Sequence, residues 1–321
     1  MNMIDQILEQ LNKSEKPANG DQFSLFHLSL TESDVFYGKN AENQIVFATY
    51  SQNTQLRPSL QRTKKLVFWF NAKCNIMVDK QLFVKHMNVL ICLSRDESEI
   101  IAFIRLTLAF AEEMVEQDSR KLHELFTSLT HLFANELKAN PIELQGFFGE
   151  LYAIRYYNKL GLNLSSYWQR KEKLKFDFSL SQQKKVEVKS TVKDIRIHHF
   201  KHEQLLSDLY DICVVSVMLR ADDSGLSLLQ LVSEVQEIAT GNFDTLMYIE
   251  DFIKNFDEDE LKEIKFDKNY LDRNIHVYRA ADIPKFQEEQ PKGVSKTEYD
   301  SNLSNSTYLT DEEFIDWAQK Y

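Results

Sequence analysis

Asp177, Glu187 and Lys189 are the residues of this chain whose types and spacing point most directly to chemistry. They lie in KFDFSLSQQKKVEVKST, residues 175–191. Side chains alternate along a strand, so Glu187 and Lys189 take one face while Val186 and Val188 take the other. Asp177 stands between Phe176 and Phe178 in the same way. If residues 175–180 and 185–191 pair as a hairpin through SQQK, Asp177 and Glu187 converge on one side. Two carboxylates there are oxygen ligands for Mg²⁺, with Mn²⁺ as a substitute. Mg²⁺ favours octahedral oxygen coordination, keeps several waters and bridges to phosphate. Phosphodiester cleavage passes through a crowded anionic transition state. A metal neutralises that charge and lowers the pKa of the attacking water. An ammonium such as Lys189 stabilises the developing charge or orients the nucleophile. Glu150, in GFFGELYAIRYY ahead of the hairpin, offers a further carboxylate to the metal.

These residues need a sheet and a helix to hold them. Residues 3–11 carry Met3, Ile4, Ile7, Leu8 and Leu11 at helical spacing. DVFYGKNAENQIVFATY reads as two strands around a polar turn at residues 38–43, and residues 66–70, 76–78 and 88–93 continue the β pattern. Helical periodicity follows from Glu97 to about Glu116, including Met114, then from about Ser119 to Ala134 and from about Ile142 to Leu160. Asn140–Pro141 breaks the last two, because proline disfavours helix in the residue before it. After the hairpin, residues 195–200 read as a third strand, 202–209 as helical, and 211–219 (DICVVSVML) as a fully buried strand. Residues 226–239 and 245–256 are helical in pattern, 274–280 a late strand. Thr310 with Glu313 is a capping-box pair near the end of a polar tail. The expected fold class is α/β (α+β): a central mixed sheet flanked by helices, with a β-rich module over residues 1–95, helices and the sheet core over 96–283, and a polar extension over 284–321.

Composition bounds the function. The chain has 321 residues, 43% of them hydrophobic, enough for a packed core. Its net charge of −11 argues against a protein that binds nucleic acid over its whole surface, so contact with DNA would need a local basic patch or a partner. One such patch exists: between Tyr167 and Glu203, ten Lys or Arg (Arg170, Lys171, Lys173 and Lys175 among them) stand against five acids. Arg196, His198, His199, Gln204 and Lys193 are candidates there for contact with phosphates or base edges. Trp168 is the tryptophan nearest the patch. The run at residues 250–267 reads as a solvated acidic helical face. Cys74, Cys92 and Cys213 are widely spaced, as free buried thiols of a reducing cytoplasm are. With no signal peptide and no long apolar run, a cytoplasmic location without a membrane is expected.

Glu150 on a helix, Asp177 on a strand and Glu187-Val188-Lys189 on the next strand resemble the PD-(D/E)XK, or restriction-endonuclease-like, nuclease superfamily. GFFGEL, FDFSL, VEVKST and the following Arg196 to Leu205 stretch resemble more closely the bacterial PD-(D/E)XK motif proteins of phage-defence and restriction gene clusters. The resemblance covers residues 140–220; the early β module and KGVSKTEYD at 292–300 fit it more loosely. Phe176 stands where the superfamily commonly has proline, and Gln204 and Tyr210 do not match the Q-x-x-x-Y spacing of the recombination-helicase nucleases. The resemblance implies a Mg²⁺-dependent endonuclease acting on DNA, with other defence proteins as partners and a homodimer as one form in which both strands are cut. The alternative is a nuclease-fold subunit that binds DNA or a partner and leaves cutting to it.

Overall fold

A computed structural model describes residues 3–17, 22–29, 34–51, 58–78, 81–113, 119–133, 141–168, 176–206, 209–254, 256–286 and 296–320. The protein is mixed α/β. Its contacts divide it into two compact units: residues 1–136 with 240–251, and residues 137–239 with 252–321. Helices that follow the expected β module therefore group with it, and the polar tail groups with the core sheet.

The first unit begins with helix α1 (Met3–Lys13) and six strands: β1 (Gln22–Ser29), β2 (Asp34–Asn40), β3 (Ile45–Tyr50), β4 (Ser59–Arg62), β5 (Leu66–Val78) and β6 (Gln81–Cys92). The order is β1-β2-β3-β6-β5-β4, and β1 also pairs with β5, so five of the strands form a closed ring of pairings. The two segments expected at 66–70 and 76–78 are one strand, irregular between Trp69 and Ala72. Asn71 takes a left-handed φ of 49° there, and its amide donates to Asn88 Oδ1 at 3.0 Å. Alternation gives the inner strands two apolar faces. One carries Phe36, Val46, Ala48, Met87, Val89 and Ile91 into a single cluster. The other carries Tyr37, Phe47 and Phe68; Tyr37 Oη meets Thr107 Oγ1 at 2.9 Å on α2 (Glu97–Glu113), and Phe68 stacks on Phe126 of α3 (Ser119–Leu132). Glu116 and Ala134, the expected ends of these two helices, and Met114 lie outside the described residues.

The second unit starts with α4 (Pro141–Lys159); Asn140 lies outside the described residues. Strands β7 (Phe178–Ser179), β8 (Lys184–Thr191), β9 (Ile197–Lys201), β10 (Asp211–Met218) and β11 (Ala221–Ser227) follow. Then come α5 (Leu228–Ile238), α6 (Phe243–Ile253), which belongs to the first unit up to residue 251, and, back in the second, α7 (Glu258–Glu263), β12 (Lys265–Phe266), α8 (Lys268–Asn274), β13 (Ile275–Arg279), β14 (Glu298–Asn302) and α9 (Asp311–Gln319). The core sheet has the order β13-β10-β8-β7. β8 and β10 are parallel, and the outer pairings are antiparallel. β10 is buried on both faces, as its continuous apolar run requires. The expected third strand does not join this sheet: β9 pairs with β14, nearly a hundred residues away in sequence. That ribbon supplies Phe200 and Leu303 to a cluster with Ile212, Val214 and Tyr278, on the sheet face that Glu187 and Lys189 share. The opposite face carries Val186, Val188 and Ser190, against which α4 packs. Where a helix is expected at 202–209, the described residues form a 3₁₀ turn, His202–Gln204. Thr310 and Glu313 form the capping box of α9.

Candidate active site

Strand register brings the acids together. Phe178 pairs with Val186 and Ser179 with Lys185, so Asp177 falls opposite Glu187, one step beyond the short β7 ladder. Its Oδ2 accepts the Val188 amide at 2.6 Å, which fixes the carboxylate against β8. Glu187 is buried, and its Oε1 meets Lys189 Nζ at 2.7 Å. Gln204, from the 3₁₀ turn after β9, donates through Nε2 to Glu187 Oε1 at 2.6 Å and accepts Lys189 Nζ on Oε1 at 3.2 Å. Its Oε1 also accepts the Lys201 amide, so the bridging side chain is fixed at its own turn. Lys189 Nζ lies over the Phe200 ring as well. Gln204, expected to touch nucleic acid, instead orients the two residues of the E-x-K pair.

Glu150 arrives from α4, and the approach of that helix depends on Gly149. A Cβ at Gly149 would lie 2.8 Å from Ser190 Cβ and 3.7 Å from Val188 Cγ1, so only glycine lets the helix seat this closely on β8. Gln145 Nε2 donates to the Ser190 carbonyl at 2.8 Å one turn earlier and locks the same contact. Gly149→Ala is expected to cost about 1–3 kcal/mol of stability by overpacking and to displace Glu150; urea unfolding measures the first. Glu150 Oε2 accepts the indole N–H of Trp168 at 2.7 Å. Trp168 is itself held between the Phe147 and Phe178 rings. It orients a carboxylate and is not a stacking platform for bases.

The electrostatics are those of too many acids in too little water. Burial, with the Glu187 charge adding to it, pushes Glu150 up to about 7 despite the Trp168 hydrogen bond and nearby Lys189. Burial raises Asp177 well above its ordinary value, and Glu187 and Glu150 raise it further. Burial also raises Glu187, against the pull of Lys189 and Gln204. One buried and two half-buried carboxyls thus gather around the Lys189 ammonium. Among the described residues Glu187 Oε2 is buried with no hydrogen-bond partner. Buried polar atoms are ordinarily paired, so an orphaned carboxylate oxygen marks a place for a ligand. Among those residues no three or more of His, Cys, Asp and Glu are gathered into a set that would hold a metal unaided. Mg²⁺ needs only one or two carboxylates when water and phosphate complete its shell, so this donor set fits Mg²⁺ better than a metal that requires an all-protein cage.

The remaining candidates divide. Arg196 and His198 are buried and do not face a nucleic acid. Arg196 donates to Ser216 O at 2.9 Å, Ser216 Oγ at 2.7 Å and Asn274 O at 2.9 Å. His198 Nε2 meets the same Ser216 Oγ at 2.6 Å. They bolt the β8–β9 connection to β10, and their burial comes from a partner strand that local sequence does not reveal. Burial, with Arg196 and Lys189 adding to it, lowers His198 to about 3. The unfolded chain then takes up a proton below the ordinary value of 6.5 that the folded chain refuses. Stability contributed by neutral His198 is present above that value and is lost as pH falls, by up to about 1.4 kcal/mol per pH unit. His198→Gln is expected to flatten this slope in unfolding curves taken between pH 6.5 and about pH 5. His199 is exposed but lies between Glu298 at 3.3 Å and Asp300 at 3.1 Å, which is a poor setting for a phosphate. Lys193 is exposed in the β8–β9 loop.

Of the basic patch, Arg170, Lys171, Lys173 and Lys175 lie outside the described residues. Lys184 is held by the carbonyls of Trp317 and Lys320, and Lys185 by Ser179 and the Ser181 carbonyl. Lys193 and Lys201 are the patch cations exposed among the described residues. Cys74, Cys92 and Cys213 are free and buried, and burial pushes the Cys74 and Cys92 thiols up to about 11, which disfavours the reactive thiolate. No described helix is long and apolar enough to cross a membrane. The chain matches no family model, and no curated protein or solved structure is significantly similar to it.

Proposed function

We propose that this chain is a Mg²⁺-dependent endonuclease of PD-(D/E)XK type that hydrolyses DNA phosphodiesters, working in the restriction or phage-defence setting that its motifs imply. The observation that carries the reading is the cluster of buried Glu187 with half-buried Asp177 and Glu150 beside Lys189, with Glu187 Oε2 unpartnered among the described residues. Asp177 and Glu187 would hold the ion, with Glu150 beside them. When bound, the metal would neutralise phosphate charge and lower the pKa of the attacking water. The chain's own groups do the rest. The Val188 amide aims Asp177, and Gln204 keeps Lys189 against Glu187 rather than in solvent. Lys189 is then placed to stabilise charge on the reacting phosphate or to orient the nucleophile. Trp168 holds Glu150 at the edge of the cluster. Nicking of supercoiled plasmid by the wild-type chain with Mg²⁺, stopped by chelator and by Asp177→Ala or Lys189→Ala, tests the proposal. Nicking that survives both substitutions sinks it.

A second reading is favoured by the net charge of −11 and by the internal use of Lys184 and Lys185: a nuclease-fold subunit that binds DNA or a defence partner without cutting. Metal-independent DNA binding with no cleavage under any divalent ion supports it. Matched DNA and RNA substrates decide the nucleic acid, and sedimentation with and without DNA decides whether a homodimer forms.

A further inference from the structure

The charges of the first unit are sorted between its helices and its sheet. Strands β1 to β6 contain one acid, Asp34, against Lys39, Arg62, Lys73 and Lys85. Asp34 is itself paired with His27 at 2.7 Å. Strand propensity does not explain the bias, because it disfavours lysine as well as acids. The strands of the second unit carry Glu187, Asp211, Asp222, Asp223, Glu298 and Asp300. Between Glu42 and Asp79 a chain of net charge −11 has no acidic residue at all. The acids of the first unit stand on its helices, with Glu97, Glu99, Glu112 and Glu113 on α2.

Register places the sheet's cations. Arg62 pairs with Val67, and Lys85 with Cys74. Both partners belong to the apolar cluster on one side of the sheet, so the two cations point to that side, about 20 Å apart along β5. Lys64 follows Arg62 in the turn from β4 to β5, where Thr63 Oγ1 accepts the Leu66 amide at 3.0 Å. Arg62, Lys64 and Lys85 are exposed, and none makes an ion pair or a side-chain hydrogen bond with a described residue. Lys65, by contrast, is neutralised by Glu99 at 2.5 Å. Leu60, 55% exposed, lies on the same side as Arg62, opposite half-buried Trp69. Lys73 pairs with His86 and points to the other side.

One small anion cannot bridge cations so far apart, whereas several successive phosphates of one nucleic-acid strand cover that length. An exposed leucine between them gives a sugar or base an apolar contact. The acid cluster of the second unit lacks such a surface of its own, since Lys184 and Lys185 beside it are held internally. We propose that the face carrying Arg62, Lys64 and Lys85 binds the phosphate backbone of the DNA that the second unit cuts, with Leu60 against a sugar or base. The identity of the polymer rests on the nuclease reading; the existence of an anion-binding face does not.

A labelled DNA duplex and a labelled single strand of equal length are titrated with the full chain, with chelator present to prevent cleavage, and binding is followed by fluorescence anisotropy over a series of salt concentrations. The triple variant Arg62→Gln, Lys64→Gln, Lys85→Gln is expected to bind about tenfold more weakly or worse, with the slope of log affinity against log salt reduced by about three. Its unfolding midpoint and its Mn²⁺ affinity are expected to match the wild type. Lys73→Gln, on the other side of the sheet, is expected to bind as the wild type does. The DNA form that loses more affinity in the triple variant is the one this face holds. No binding by the wild type, a triple variant that binds as tightly as the wild type, or an equal loss in Lys73→Gln overturns the inference and leaves the nuclease reading in place. Binding lost in the triple variant, beside a wild type that never cuts with Mg²⁺, keeps this face and removes the nuclease reading. Displacement of the DNA by poly-glutamate at equal charge concentration assigns the face to an acidic protein and overturns the nucleic-acid occupant.

Discussion

Asp177→Asn is expected to lose DNA cleavage by on the order of 10²–10³-fold and, in metal-free buffer, to be more stable than the wild type by about 0.5–2 kcal/mol. The two effects have one cause. Asparagine can still accept the Val188 amide, so the local hydrogen bond survives. What disappears is a carboxyl that burial and two neighbouring carboxylates already hold above its ordinary pKa. An acid whose folded pKa is raised costs stability as pH climbs from its unfolded value toward its folded one, because the unfolded chain releases the proton first. The gain in the variant is therefore greater at pH 8 than at about pH 5. Urea unfolding at the two pH values, beside a plasmid-nicking assay, measures both halves.

Lys189→Met is expected to abolish cleavage too, but with the opposite sign in stability: a loss of about 3 kcal/mol. Lys189 is 20% exposed and pairs with a Glu187 side chain that is 5% exposed. Removing the ammonium strands a buried carboxylate whose second oxygen already lacks a partner among the described residues. It also removes a donor to Gln204 and the cation over Phe200. Two inactive variants that move stability in opposite directions would distinguish a charged catalytic cluster from a surface whose substitution merely weakens the fold. Equal and small stability changes in both would argue that the carboxyls are solvated.

Much of this site is legible in residues 175–191, because strand alternation and a short polar turn are local properties. The register Phe178 to Val186 is the one that alternation predicts. Glu150 was legible for the same reason, on a helix whose period is local. Arg196 and His198 were not. Whether an arginine points to water or to Ser216 depends on β10, which is parallel to β8 and reached only through the fold. The pairing of β9 with β14 joins Ile197–Lys201 to Glu298–Asn302, and no periodicity encodes so distant a partner. Gln204 shows the same limit. Its residue type suggested hydrogen bonding to a base, but the 3₁₀ turn after β9 brings it onto Glu187 and Lys189. The long strand β5 looks like two pieces in sequence because Asn71 interrupts its alternation at the irregularity.

The most direct test of the central claim is equilibrium binding of Mn²⁺, followed by its electron paramagnetic resonance signal, in the wild-type chain and in Asp177→Asn and Glu187→Gln. The account predicts a saturable site in the wild type, competed by Mg²⁺ and lost in each variant. Undiminished Mn²⁺ binding in both variants, or none in the wild type with DNA present, would contradict it.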